Sequence, residues 1–330
     1  MAEGGIIGGL VDQHGRRKRK LRLSLTDRCN FRCRYCMPEH PRWLPKKELL
    51  SREELVTLAR LFVDSGIEAI RITGGEPLLR VDAVECVAEV NALRAVGLKR
   101  ISLTTNASHL AGKLAALRAA GLDDINISLD ALDPARFKAM RGHVIDPVLE
   151  GIDCAVKLRA PFKLNTVLVR GQNEAEILPL VAWAMERGAE LRFIEYMPLD
   201  APGHWSAMQV FPEAEILSVL RSRHRVQALP RGSEPATQYE IDGHYRIGII
   251  STISNPFCSS CDRLRLTARG ELYACLFSER GTELGKLLRG GADAEQLHKT
   301  IRAAVWNKEA GYAAKPGPIE RPLLMHAMGG

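Results

Sequence analysis

Six cysteines in two tight groups are the residues of this sequence best suited to chemistry. Cys29, Cys33 and Cys36 form a C-x3-C-x2-C arrangement within eight residues. Three thiolates this close can wrap one metal centre, and local sequence leaves a fourth position unfilled. In a [4Fe–4S] cluster three cysteines leave one iron free to bind something else. The amine and carboxylate of an amino acid can chelate that iron, which places a sulfonium beside an electron donor. A structural zinc site is the alternative. Such sites take four closed ligands, usually with paired C-x2-C spacing, and no neighbouring histidine or cysteine supplies the fourth.

Cys258, Cys261 and Cys275 make the second group, with C-x2-C-x13-C spacing. Again there are three cysteines and no obvious fourth ligand: the flanking histidines are His244 and His298. A zinc ribbon would show two C-x2-C pairs, so this group also reads as an open-coordination cluster, with zinc again the alternative. Arg263 and Arg265 stand at i and i+2 on an expected strand, which turns both guanidiniums to one face. Arginine forks suit polyphosphate; without a cluster beside them, two solvent-facing arginines would be the default. Thr73-Gly74-Gly75-Glu76-Pro77 is a third candidate. Its two glycines let backbone approach a ligand closely, and Glu76 can accept from an ammonium. The remaining cysteines, Cys86 and Cys154, stand alone in apolar helical surroundings and read as buried small hydrophobes.

These residues need a scaffold. Apolar or β-branched runs at 21–25, 69–73, 100–104, 124–128, 163–169 and 191–194 alternate with segments of helical periodicity. The clearest helix is 52–64, with Ser51 and Glu54 as a capping box and an apolar stripe of Leu55, Leu58, Ala59 and Phe62. Segments 81–93, 110–120, 147–158 and 175–187 behave similarly. Gly66, Gly97, Gly121 and Gly188 follow four of these helices, where a left-handed cap favours glycine. Strands and helices alternating at this spacing imply parallel βαβ units, either partly closed into a barrel or in an open doubly wound sheet. The first cysteine group follows the first strand, where such architectures place active-site loops. After about residue 200 the rhythm stops. A helix at 214–220, a hairpin across Asp242-Gly243-His244 and a strand pair across Ala268-Arg269-Gly270 suggest a smaller α+β region. The expected division is therefore 1–200 and 201–330.

Composition limits the alternatives. Of 330 residues, 46% are hydrophobic and 26% charged, as in ordinary globular chains. No apolar run has the length of a membrane span, and the first ten residues lack the basic-then-apolar pattern of a secretory signal; a cytoplasmic protein with reduced thiols is expected. The net charge of +7 favours anionic partners. Arg16-Arg17-Lys18-Arg19-Lys20, the densest basic run, reads as a solvated lead into the first strand; no aromatic residues interleave with it to suggest nucleic acid.

The C-x3-C-x2-C group, with an aromatic residue before its last cysteine, resembles the signature of radical S-adenosylmethionine (SAM) enzymes. The Thr73–Pro77 segment after the second strand is an independent match. A narrower resemblance, to the GTP 3′,8-cyclase family of molybdenum cofactor biosynthesis, covers nearly all residues after about 15. It is carried by Leu21–Asn30, Ile70–Leu78, Asn126–Ala131, Arg192–Met197, the block from Cys258 to Arg265, Cys275, and the final Gly329-Gly330. The resemblance implies a partial (β/α)6 barrel and two [4Fe–4S] clusters, one at each end. It implies that Cys29, Cys33 and Cys36 hold the cluster that cleaves SAM to a 5′-deoxyadenosyl radical, with Tyr35, Gly75, Ser128 and Met197 contacting SAM. It puts GTP in the barrel, against Arg22, Arg71, Thr104, Lys163, Arg192, Arg263 and Arg265, with its guanine on the open iron held by Cys258, Cys261 and Cys275. Abstraction of the C3′ hydrogen and attack on C8 would give 3′,8-cyclo-7,8-dihydro-GTP. The Gly329-Gly330 tail would thread toward the active site and be needed for activity. An external one-electron donor, a downstream pterin-forming enzyme and homodimerisation are also implied, with neither nucleic acid nor membrane as partner. The family usually has glycine where Ala107 stands, so a left-handed backbone there would make the loop path differ slightly. Two rivals are a two-cluster radical SAM enzyme acting on a peptide, which typically carries more C-terminal cysteines, and a zinc-bearing nucleic-acid-binding protein.

Overall fold

The computed structural model describes residues 9–38, 40–199, 205–232, 234–312 and 325–329. Six parallel strands follow one another in sequence order: β1 (Lys20–Ser24), β2 (Ala69–Thr73), β3 (Arg100–Thr105), β4 (Asp124–Ser128), β5 (Phe162–Leu168) and β6 (Glu190–Glu195). Helices α1 (Arg52–Asp64), α2 (Ala83–Ala92), α3 (Leu114–Ala119), α4 (Pro134–Arg141), α5 (Asp146–Lys157) and α6 (Ile177–Glu186) fall between them. The expected capping box of α1 forms: Glu54 N–H donates to Ser51 Oγ at 3.2 Å, and Ser51 N–H to the Glu54 carboxylate at 2.8 Å. Gly66, Gly97, Gly121 and Gly188 all take positive φ.

Strand alternation sorts the side chains. Leu21, Leu23, Ile70, Ile72, Ile125, Ile127, Leu191 and Phe193 are all fully buried in the core. The intervening positions carry Arg22, Arg71, Asn126 and Arg192, so one face of the curved sheet is apolar and packs helices while the other is a polar lumen.

The C-terminal region continues this sheet. Its elements are α7 (Glu213–Arg221), β7 (Val226–Ala228), β8 (Thr237–Ile241), β9 (Tyr245–Ile250), β10 (Arg263–Leu266), β11 (Glu271–Tyr273), β12 (Thr282–Glu283), α8 (Leu284–Arg289), α9 (Ala294–Trp306) and α10 (Met325–Met328). The hairpin strand β9 pairs parallel with β6, Leu191 opposite Ile247, and β10 pairs parallel with β1, Arg22 opposite Arg265. Both free edges of the six-stranded core are thus extended by later chain, in the order β12-β11-β10-β1-β2-β3-β4-β5-β6-β9-β8-β7. Helix α4 was not expected, although Asp133 caps it by accepting from Arg136 N–H at 2.7 Å, and Pro134 opens it.

The basic run is not solvated throughout, as expected from its composition, but alternates. Arg16 and Lys18 are 8% and 0% exposed, while Arg17 and Arg19 face solvent. Asp12 is ion-paired to both buried cations at 2.7 Å. Cys86 is buried as expected, whereas Cys154 is partly exposed and donates weakly to Ala111 C=O at 3.7 Å. Ala107 adopts φ 64°, so the loop keeps a left-handed residue and the alanine carries the strain.

Candidate active site

One cavity runs through the lumen, and all six cysteines of the two groups line it. At one end the first cysteine loop is pinned from both sides. Arg32 N–H and Arg34 N–H donate to Arg141 C=O and Met140 C=O at the end of α4, at 2.9 and 3.1 Å. From below, Gly75 N–H donates to Thr26 C=O and Glu76 N–H to Arg28 C=O, each at 2.7 Å. A Cβ at Gly75 would lie 2.3 Å from Arg28 O. The close approach these glycines permit is therefore to the cysteine loop as well as to the cavity they line.

Glu76 differs from its sequence reading. It is 1% exposed, and its carboxylate accepts from Leu78 N–H (3.0 Å), Thr105 Oγ1 (2.8 Å) and Asn106 N–H (2.7 Å). It joins the loops after β2 and β3 rather than offering itself to an ammonium. Tyr35 is likewise engaged: its hydroxyl donates to Asp130 Oδ2 at 2.6 Å and accepts from Arg141. Arg141 in turn donates to Asp130 Oδ2 at 2.8 Å, and both members of this ion pair are buried. Ser128 and Met197 line the cavity.

The donor chemistry fits iron–sulfur clusters at both groups. Burial pushes the Cys29 thiol up to about 12 and raises Cys33 and Cys36 as well. Thiols so desolvated need a bound cation to stay ionised. Cys29 and Cys275 sulfurs accept backbone N–H groups two residues on, from Phe31 at 3.5 Å and Phe277 at 3.4 Å. A Cβ at Gly311 would lie 2.7 Å from Cys258 Sγ, so the second group is closely cradled. Burial raises Cys261, but Arg263 and Lys308 more than offset this and bring it to about 6. Among the described residues no three Cys, His, Asp or Glu side chains converge as a site for a single metal ion.

Between the two ends the lumen is strongly cationic. Arg265, Arg22 and Arg71 sit at one register level across β10, β1 and β2. Burial, with Arg265, Arg71 and Arg263 adjacent, pushes the Arg22 guanidinium well below its ordinary range. Burial, with Arg192 nearby, brings Arg71 down to about 10. Arg71 donates to Ser102 Oγ at 3.2 Å, and Arg263 lies 4.6 Å above the Phe257 ring. Mutually repelling guanidiniums lining one cavity make a lumen suited to a polyanion. Thr104 lines the same cavity. Thr73 Oγ1 and Asn165 Oδ1 are buried there without a hydrogen-bond partner among the described residues, a polar demand that a ligand can meet.

Two expected residues are committed elsewhere. Lys163 does not line this cavity; its ammonium pairs with Glu190 at 2.6 Å and borders a second pocket with Arg100 and Asp124. Arg192 lines the cavity but pairs with Glu190 at 2.6 Å and Glu234 at 3.0 Å. The tail does enter: Gly329 C=O accepts from Arg265, and a Cβ at Gly329 would lie 2.4 Å from Thr73 Oγ1. Gly330 lies outside the described residues. Sequence reasoning missed Arg16, Lys18, Asn165 and Lys308. The every-second-residue burial of Arg16 and Lys18 is a strand-like pattern, but basic residues on both faces hide it. No helix among the described residues is long and apolar enough to cross a membrane.

Comparison with known proteins agrees with this geometry. The family described as Radical SAM superfamily matches residues 23–184, and that described as Molybdenum Cofactor Synthesis C matches 189–314. A GTP 3′,8-cyclase of Streptomyces coelicolor is 44% identical, covering 97% of this chain and 96% of the relative. A GTP 3′,8-cyclase 2 of Mycobacterium bovis is 43% identical over 98% and 92%. The crystal structure of Streptococcus suis SuiB bound to S-adenosylmethionine shares the fold, with TM-score 0.59 at 15% identity, covering 88% of this chain and 69% of that one.

Proposed function

The chain belongs to the GTP 3′,8-cyclase family, a radical SAM family of molybdenum cofactor biosynthesis, and from that premise we propose how its residues divide the work of cyclising GTP to (8S)-3′,8-cyclo-7,8-dihydroguanosine 5′-triphosphate. The observation that carries the reading is that both cysteine groups and an arginine-lined lumen share one cavity. Cys29, Cys33 and Cys36 would hold one [4Fe–4S] cluster and Cys258, Cys261 and Cys275 the other. When bound, the clusters and SAM supply the one-electron reduction and the hydrogen abstraction at C3′ that the cyclisation needs.

The protein's own part is placement. Gly75 offers backbone to SAM, and Ser128 and Met197 flank the same space; Tyr35 acts through its ring and backbone, since its hydroxyl is held by Asp130. Arg22, Arg71, Arg263 and Arg265 bind the triphosphate, with Thr104 beside them. Arg192 joins when phosphate oxygens displace Glu190 and Glu234, and Lys163 joins on leaving Glu190 and turning into the cavity from its lumen-facing register on β5. Gly329 of the Gly329-Gly330 tail accepts from Arg265, and the tail helps exclude water. The division of the chain at about residue 200 then separates the SAM end from the guanine end. An external one-electron donor, a downstream enzyme that rearranges the cyclic product into a pterin, a homodimeric state and a cytoplasmic location complete the reading.

The test separates the two ends. Anaerobically reconstituted Cys29→Ala should form no 5′-deoxyadenosine. Cys275→Ala should retain much of that cleavage without GTP, yet yield no cyclic product. In the parent protein, GTP deuterated at C3′ should pass deuterium to 5′-deoxyadenosine. Equal loss of both activities in the two variants would refute the division of labour.

A further inference from the structure

We propose that Lys308 is a positioning residue for the second cysteine group: its charge at Cys261 sets the reduction potential of the cluster bound there. This rests on the reading that Cys258, Cys261 and Cys275 hold a [4Fe–4S] cluster.

Lys308 lies just beyond α9 and is 3% exposed. Its ammonium donates to Cys261 Sγ at 3.3 Å and to Arg263 C=O at 3.2 Å. Among the described residues it forms no salt bridge, whereas the neighbouring Lys18 and Arg16 are both paired with Asp12. Arg263 also reaches Cys261 Sγ, at 3.5 Å, but its guanidinium is shared with the Phe257 ring and faces the polyanion site. Lys308 lines the same cavity but makes no ring contact among the described residues, and its ammonium donates to Cys261 Sγ and Arg263 C=O, so it is a second cation at the ligating sulfur beside Arg263.

The surroundings keep it there. Gln13 Nε2 donates to Lys308 C=O at 3.3 Å. Lys18 Nζ donates to Cys261 C=O at 2.7 Å, and Arg16 donates to Cys258 C=O at 2.8 Å and to Glu309 C=O and Ala310 C=O at 2.7 Å. Asp12 anchors both of those cations. The segment ahead of β1 therefore straps the cysteine loop and the loop bearing Lys308 to each other. At the first cysteine group the buried cation is Arg141, but it is ion-paired to Asp130 at 2.8 Å and its charge is offset there. Cys29 Sγ receives only neutral donors in its hydrogen bonds, Phe31 N–H at 3.5 Å and Asn106 Nδ2 at 3.9 Å.

One-electron reduction adds negative charge to a cluster. A cation at hydrogen-bond distance from a ligating sulfur favours that state, and net charge and hydrogen bonds to sulfur are the main protein levers on cluster potential. Lys308 thus raises the potential of the second cluster and leaves the first unchanged.

The experiment uses full-length protein reconstituted anaerobically, with iron analysis and EPR-monitored redox titration. Iron content first tests the underlying reading: about eight irons per chain in the parent and about four in Cys275→Ala, four per cluster. Unchanged iron in Cys275→Ala would remove that reading, whatever Lys308 does. Lys308→Met removes charge and donor, Lys308→Gln removes charge alone, and Lys308→Arg keeps both. In the Met and Gln variants the ratio of reduced to oxidised second cluster, identified by its response to GTP, should fall about tenfold at the parent's midpoint. That is a shift of about 59 mV to more negative potential for one electron. The Arg variant should stay near the parent, and the first cluster should not move. An unchanged second-cluster midpoint, equal shifts of both clusters, or loss of the second cluster from both neutral variants would each overturn the proposal, the last by making Lys308 a structural strut.

Discussion

Gly75→Ala should cost the protein its first cluster while sparing the second. The added Cβ would lie 2.3 Å from Arg28 O and 2.6 Å from both Arg28 C and Asp27 O. All three atoms are backbone, so no side chain can swing away. Gly75 N–H and Glu76 N–H also hold this stretch to Thr26 and Arg28 at 2.7 Å, and Arg28 is the residue before Cys29. The methyl group can be accommodated only by moving the start of the cysteine loop. Overpacking of this kind costs up to about 3 kcal/mol. With an unfolding entropy of about 2.1 cal/mol/K per residue, that lowers the apparent melting temperature of a chain this long by about 4 °C. Iron analysis of the reconstituted variant should give about four irons per chain instead of about eight. A variant with full iron and the parent's melting temperature would refute the packing argument. Full iron with weakened SAM binding would instead assign Gly75 to the ligand alone.

Three further outcomes follow from the same geometry. Asp130→Ala leaves the buried Arg141 without its carboxylate and should cost about 3–5 kcal/mol, read as a fall in denaturant midpoint; a change below about 1 kcal/mol would show that Tyr35 and Ser128 C=O suffice for Arg141. Burial raises the Asp12 carboxyl, but hydrogen bonds from Lys18 and Arg16 outweigh it and hold it at about 2, below its ordinary 3.8. A depressed carboxyl stabilises the folded state above its unfolded value, so this contribution, about 2 kcal/mol, is complete above about pH 4 and lost as pH falls toward 2; the stability gap between parent and Asp12→Asn should close over that range, and a gap constant with pH would contradict the pairing. Gly329→Ala, at φ 76° and facing Thr73 Oγ1, should lower turnover on the order of a hundredfold by displacing the tail, with GTP affinity nearly unchanged in equilibrium binding; an equal loss of affinity would place the tail in substrate binding.

The core strands and the two cysteine groups were legible because each is specified locally. Alternation across five to seven residues defines β1 to β6, and metal ligation demands one residue type at short spacing. What escaped was specified at a distance. Arg16 and Lys18 look like solvated charge, because nothing near them announces that the carbonyls of Cys258 and Cys261 arrive from some 240 positions away. For the same reason β9 and β10 read as parts of a separate region, although their partners are β6 and β1. Glu76 looked free to meet a ligand because its type is right; only the fold reveals that Thr105 and Asn106 already occupy it. Lys163 sits at an inward register on β5, but the neighbouring strand supplies Glu190 to hold it.

The extension of both sheet edges explains why the cationic lumen can exist. Arg22 and Arg71 belong to the first six strands, and alone they would open to solvent at the β1 edge. β10 closes that edge, beginning two residues after Cys261, and brings Arg265 level with Arg22 and Arg71, with Arg263 two residues earlier opposite Lys20. One strand therefore sets the guanidiniums proposed to bind phosphate and, through the loop before it, the second cysteine group. Burying like charges this way raises the energy of the empty site. Under the proposed function, entry of the triphosphate would relieve the strain on Arg22 and Arg71, and part of its binding energy would be fixed by the fold in advance. Any substitution that loosens β10 from β1 should then weaken triphosphate binding and displace Cys261 together, which couples substrate affinity to assembly of the second metal site.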